Sequence, residues 1–153
     1  MTHSPDIMSA FREVFALDTL SFYHNDSWIL SVRPAQPTFG CMVVSARREV
    51  TDLADLSLAE GADMALALGL ASKIGKQVFA ADKINALCLM MKDPLVHFHI
   101  IPRYAAPLQR CGQVWEDRSW PMPPNLAVEA ASTEVLAAIR QMIHEHESLW
   151  LPE

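Results

Sequence analysis

The spacing of apolar positions changes along the chain, and each change predicts an element. Met8, Phe11, Val14 and Phe15 recur at three- and four-residue spacing and predict a short helix, with Ser4 as its N-cap and Pro5 at its first position. Residues 20–23 and 28–32 read as two strands around the turn cluster His24-Asn25-Asp26-Ser27. Two prolines and a glycine make 34–40 a loop, and 41–45 a third strand. Ser57 and Glu60 have capping-box spacing. After them Met64, Ala67, Leu68, Ala71, Ile74, Gly75 and Val78 form one helical stripe. Gly61, Gly69 and Gly75 each weaken that helix by roughly 1 kcal/mol against Ala, unless they serve close packing on a sheet or a partner subunit. Residues 84–91 and 96–104 predict two apolar strands joined by Lys92-Asp93-Pro94, hence an antiparallel pair. Residues 110–125, with Trp115, Trp120 and three prolines, read as irregular. Ser132 caps a last helix carrying Val135, Ile139, Met142, Ile143 and Trp150. The order α-β-β-β-α-β-β-α predicts an α+β fold around one antiparallel sheet.

Composition adds exclusions. The 153 residues suit a single domain, and 51% hydrophobic content excludes a disordered chain. A net charge of −6 argues against binding along a nucleic-acid backbone, which needs many Lys and Arg, yet leaves room for one small anionic ligand. Cys41, Cys88 and Cys111 are far apart with no Cys-x-x-Cys pair, as expected of buried thiols in a reducing compartment. The first five residues show no signal-peptide pattern, and the most apolar segment, 62–71, carries Asp63 and is too short to span a bilayer. The expectation is a cytoplasmic protein without a membrane partner.

The chemistry concentrates in residues 93–104. On a strand, Leu95, His97, His99 and Ile101 share one face, and Val96, Phe98 and Ile100 point to the other, toward the core. Two alternating histidines are by themselves open to three readings. They are satisfied surface imidazoles, or two ligands of a zinc site that needs at least a third, or a catalytic pair. For Cys88 or an acid to be that third ligand, the fold must bring it close. As a pair, a neutral imidazole is a competent nucleophile near pH 7. A second one, about 6–7 Å along the strand, supplies the donor that a phosphate or leaving group needs.

The run Leu95-Val-His-Phe-His-Ile-Ile-Pro-Arg103 closely resembles the signature of the histidine triad (HIT) family, His-x-His-x-His followed by two apolar residues and often Pro-Arg. Asp82-Lys-Ile-Asn85, Leu89-Met-Met-Lys-Asp-Pro94 and Pro37-Thr-Phe-Gly-Cys-Met-Val-Val44 extend the similarity, which is strongest over 20–105. The remainder, 106–153, reads as a C-terminal extension with a helix near 132–150 of the same domain, 1–153. The resemblance implies a five-stranded antiparallel sheet packed with a long central helix and terminal helices, commonly a homodimer. It implies a small nucleotide as substrate and nucleotidyl-histidine chemistry on dinucleoside polyphosphates or nucleoside phosphoramidates, with no metal or cofactor. By position His97 matches the nucleophile, His99 the histidine that contacts the α-phosphate, and Asn85 a residue that holds the nucleotide. The backbone carbonyl at Leu95 would take the far nitrogen of the nucleophile.

The sequence departs from that pattern where Leu95 replaces the first histidine of the triad, and where Arg47-Arg48-Glu49 occupies the region after the earlier strand that usually holds another histidine. The lead-in is Met90-Met-Lys-Asp-Pro94 in place of a glycine-rich segment, and no acidic residue stands at 32–34 to grip a ribose. The alternative is therefore a nucleotide-binding protein with weak or no catalysis. Further candidates for the cleft are Gln36 from its loop, Lys92, one of Met90 and Met91 against a base, and Arg103, unless Arg103 pairs with a carboxylate inside the fold.

Overall fold

A computed structural model describes residues 6–151. The predicted Ser4 cap and Pro5 lie outside them. Asp6 caps helix α1 (Ile7–Val14) by accepting from the Ser9 amide at 2.7 Å. A one-turn helix α2 (Leu17–Leu20), absent from the sequence reading, follows. Strands β1 (Ser21–His24), β2 (Trp28–Val32) and β3 (Met42–Ala46) come next, then the long helix α3 (Leu58–Gln77), β4 (Lys83–Leu87) and β5 (His97–Arg103). The five strands make one antiparallel sheet in the order β1-β2-β3-β5-β4. Strands β6 (Leu108–Arg110) and β7 (Gln113–Trp115) form a small separate hairpin, and α4 (Thr133–Glu145) ends the described chain with a short 3-10 turn. The fold is α+β, with a long helix on a five-stranded antiparallel sheet.

Local chemistry accounts for the element ends. Asn25 accepts from the amides of Ser27 and Trp28 and closes the β1–β2 turn. Ser57 and Glu60 cap α3 reciprocally, as their spacing predicts. Ser132 caps α4 through the Val135 amide. That helix stops at Glu145, earlier than the predicted 150, and Trp150 lies beyond it. The strand predicted over 84–91 ends at Leu87, and Met90 adopts a left-handed backbone (φ 49°) that no ladder accommodates. The nine residues between β4 and β5 are therefore a loop. Residues 110–125 are less irregular than read, because β7 and the end of β6 fall within them.

The sheet register decides which residues meet. Pairing of Ser45 with His97, Val43 with His99 and Leu87 with His99 puts these side chains on one face. Trp28, Leu30, Val44, Phe98, Ile100 and Ile84 take the other, which α3 covers. Trp28 Nε1 donates to the Glu60 carbonyl at 2.8 Å. Gly75 lets α3 approach the sheet, because a Cβ there would collide with Ile84. Gly61 and Gly69 have no neighbour in that position and serve no such contact. On the histidine face α1 lies over β5, while α4 packs along β1, β2 and α2. No helix among the described residues is long and apolar enough to cross a membrane.

Two glycines test this account. Gly69→Ala is expected to raise the unfolding free energy by about 0.5–1 kcal/mol, the helix-propensity difference at an open position. Gly40→Ala is expected to lower it by about 2 kcal/mol or more, since φ is +87° and the Phe79 ring occupies the place of the new Cβ. Urea unfolding of both variants beside the parent protein measures the two signs.

Candidate active site

Strand β5 lies between β3 and β4, so neighbours on both sides fix its side chains. His97 Nδ1 lies 2.6 Å from the Leu95 carbonyl oxygen. A carbonyl only accepts, so Nδ1 carries the proton and Nε2 is left with its lone pair. His99 is held in the opposite sense. Arg33, just beyond β2, donates from Nε to His99 Nδ1 at 3.2 Å. A guanidinium only donates, so here Nδ1 holds the lone pair and Nε2 carries the proton. The rings stand edge to face, 4.9 Å apart. One bare Nε2 and one Nε2–H are thus what the pair presents beyond the protein's own bonds.

Both rings are kept neutral. Burial is the main cause at His97, pushing it below the ordinary imidazole value against the Leu95 bond that favours the charged form. His99 is pushed to about 4 by burial first, then by the charge of Arg33 and by the repulsion that protonating both rings would bring. The cover comes from α1: the Phe11 and Phe15 rings stack on one another and lie 5.0 and 5.6 Å from His97. His97 is only 2% exposed and His99 8%. Both nonetheless line a cleft of about 470 Å³ that the protein's side chains leave open, within the size of small-ligand sites. Its walls are Val14 and Phe15 from α1, the 33–35 segment, the 89–93 loop, and Leu126 and Val128 from the C-terminal part.

The predicted residues separate into two groups. His97, His99, Met90, Met91 and Lys92 line the cleft, both methionines rather than one of them. Leu95 does not: its side chain is fully buried, and only its carbonyl serves the site. Asn85 shares the histidine face by register but gives its Oδ1 to Arg103 Nη1 at 2.8 Å and is not part of the cleft wall. Arg103 follows the second of its two readings. It forms a buried two-point ion pair with Asp117 (2.6 and 3.1 Å), the carboxylate alternative, and takes no part in the cleft. Gln36 is a correction. Its amide donates to the Arg33 and Cys41 carbonyls and accepts from the Gly40 and Cys41 amides, so it staples its own loop and stays out of the cleft.

Sequence reasoning passes over Arg33, Phe15, Leu126 and Val128. Arg33 carries a weak local signal, a charged residue ending an apolar strand before Pro34. The others depend on long-range contacts, including the Ala35–Ala130 bridge that lays the C-terminal segment beside the 33–35 segment. Ser31 and Ser45 place unpartnered buried hydroxyls on the histidine face, Ser45 directly opposite His97. Among the described residues no three His, Cys, Asp or Glu side chains gather as metal ligands.

No family model matches the chain, and no curated protein matches it in sequence. Solved structures do match in shape. A Hit-like protein of Bartonella henselae involved in cell-cycle regulation superposes with a TM-score of 0.68 at 19% identity, over 94% of this chain and 98% of its own. A histidine triad protein of Sinorhizobium meliloti gives 0.66 at 17% identity, over 85% and 92%. A hypothetical histidine triad nucleotide-binding protein of Sulfolobus tokodaii gives 0.63 at 15% identity, over 89% of each chain. The chain has the histidine triad fold. In the Bartonella comparison the likeness extends over more than nine-tenths of both chains. In this chain position 95 is a buried leucine, and an arginine stands behind His99.

The two depressed imidazoles make stability depend on pH with a definite sign. Between their folded values and the ordinary 6.5, the unfolded chain binds more protons than the folded one. The unfolding free energy is therefore expected to be full above pH 6.5 and to fall as pH drops toward about 4. The His99→Asn variant is expected to show a shallower fall. Urea unfolding at pH 7.5, 6.5 and 5.5 reads this above the range in which Glu60, whose carboxyl is lowered from 4.5 to about 2 mainly by its bond to Arg48, contributes to the slope.

Proposed function

We propose that the protein cleaves a small nucleotide conjugate, a dinucleoside polyphosphate or nucleoside phosphoramidate, at its α-phosphate through a nucleotidyl-His97 intermediate. The observation that supports this is the pair of opposed Nδ1 bonds, which leaves one nucleophilic and one proton-bearing Nε2 beside an open cleft. His97 Nε2 attacks phosphorus. The N–P bond forms and the bond to the leaving group breaks, the leaving group keeping the electron pair and taking a proton from solvent. His99 Nε2–H hydrogen-bonds the phosphate oxygen on which charge gathers. Water then adds to phosphorus, the P–N bond returns its pair to His97, the water's proton passes to solvent, and a nucleoside monophosphate leaves. Val14, Leu89 and Met91, all at least half exposed at the rim, offer an apolar surface to the base.

The Leu95 carbonyl performs the orienting task without an imidazole at that position, which favours turnover over binding alone. The competing reading, a nucleotide-binding protein without catalysis, rests on the apolar side chain at position 95, which leaves two imidazoles at the site. Incubation with adenosine phosphoramidate or diadenosine tetraphosphate followed by quenching is expected to trap an acid-labile, alkali-stable adenylyl adduct, absent in His97→Ala. His99→Asn is expected to lower kcat by roughly 10²–10³, the loss typical of one oxyanion donor. Nucleotide binding by calorimetry with neither adduct nor turnover would assign the binding role instead.

We further infer a homodimer in the cytoplasm. The outer surface of α3 leaves Leu58 and Leu66 at 96% and 70% exposure, and β4 is an unpaired sheet edge. Sedimentation velocity is expected to give twice the 17.1 kDa chain mass, with Leu66→Glu shifting it to the monomer.

A further inference from the structure

The chain buries two arginines, and the fold treats them differently. Arg103 has a complete set of partners: both oxygens of Asp117, the Asn85 amide oxygen and the Met122 carbonyl. Arg33 is 9% exposed and has no carboxylate among the described residues. Its Nε is used by His99 Nδ1 and its Nη1 by the Ala35 carbonyl at 2.8 Å, while Nη2 has no bond to a described residue. A buried cation that faces a neutral imidazole and a neutral carbonyl keeps its full charge uncompensated, a costly arrangement unless a ligand supplies the anion.

The position of this charge matters. Arg33 lines the cleft together with His97, His99 and Lys92, and among the described residues the only carboxylate in the cleft wall is Asp93 in the 89–93 loop. In an imidazole the directions leaving Nδ1 and Nε2 diverge widely. An oxygen held by His99 Nε2–H therefore lies about 8 Å from Arg33 Nε on the other side of the ring, given ordinary hydrogen-bond lengths. The arginine thus stands behind the ring that meets the reacting phosphate. Its planar fork matches a phosphate better than any hydroxyl, because a guanidinium cannot accept a hydrogen bond from a sugar.

We propose that Arg33 makes this cleft a two-phosphate site: the preferred substrate carries a second phosphate, bound through Arg33 Nη2, besides the one whose phosphorus faces His97. This deepens the proposed function and rests on it. The second phosphate has two sources, a phosphorylated ribose or the next phosphate of a polyphosphate chain. Binding distinguishes them.

Calorimetry of the parent protein with AMP, adenosine 3′,5′-bisphosphate, adenosine 2′,5′-bisphosphate and ADP gives the affinity ratio of each doubly charged ligand to AMP. At least one ratio is expected to exceed tenfold, the bisphosphates naming the ribose and ADP the chain. Arg33→Gln, which keeps an amide donor for His99, is expected to reduce that ratio below threefold. Arg33→Lys is expected to retain most of it, and Lys83→Gln, an exposed change on β4 outside the cleft, to leave it above tenfold. Thermal melts establish that each variant is folded, and the ratio is internal to each variant, so a general loss of affinity does not affect it. Ratios near one in the parent protein, with AMP bound and an adenylyl adduct formed, overturn the second phosphate and leave the proposed function standing. A ratio unchanged in Arg33→Gln moves the second phosphate away from Arg33 and overturns the assignment. Failure to bind any of the four overturns both.

Discussion

Two imidazoles on one strand are chemically equivalent until something behind each ring tells them apart. In this protein the Leu95 carbonyl stands behind one and the Arg33 guanidinium behind the other. An acceptor and a donor, each placed at Nδ1, set opposite tautomers on rings 4.9 Å apart. The rest of the structure serves that arrangement. The carbonyl is fixed because Val96, next in the chain, bonds Val50 and Ala46 through its backbone. The guanidinium arrives from β2, reaching past β3 to β5, and the Arg33 amide is held by the Cys41 carbonyl. The two phenylalanines of α1 exclude water and keep both rings uncharged.

This division of labour asks nothing of the side chain at position 95. The task there falls to the main chain, which every residue possesses. Its side chain is free to join the buried interior, and it does. Arg33, from just beyond β2, brings a permanent positive charge to the back of His99.

Local signals were legible where local physics decides. The turn at Asn25, the capping box of α3 and the Ser132 cap follow from side chains within three or four residues. Strand alternation placed His97 and His99 on one face, because period two is a property of the strand itself. The sequence did not reveal the end of β4, since Met90 departs from the ladder by a backbone angle that its residue type does not announce. Nor did it reveal that Gln36 is consumed by its own loop while Arg33, three residues earlier, serves the histidines. Both outcomes depend on which carbonyls and rings the folded chain brings within 3.2 Å, across up to 66 positions in the sequence. Arg103 illustrates the same limit from the other side: a carboxylate partner was foreseeable, but its identity as Asp117 was not.

The cleft draws on distant parts of the chain, Val14 and Phe15 from the first helix and Leu126 and Val128 from the segment bridged to Ala35. The five-stranded sheet contains both histidines, yet it does not bound the cleft by itself: one wall comes from residues after its last strand, held beside the 33–35 segment by the Ala35–Ala130 bridge. The strands thus furnish the two rings, and segments outside the sheet supply their enclosure.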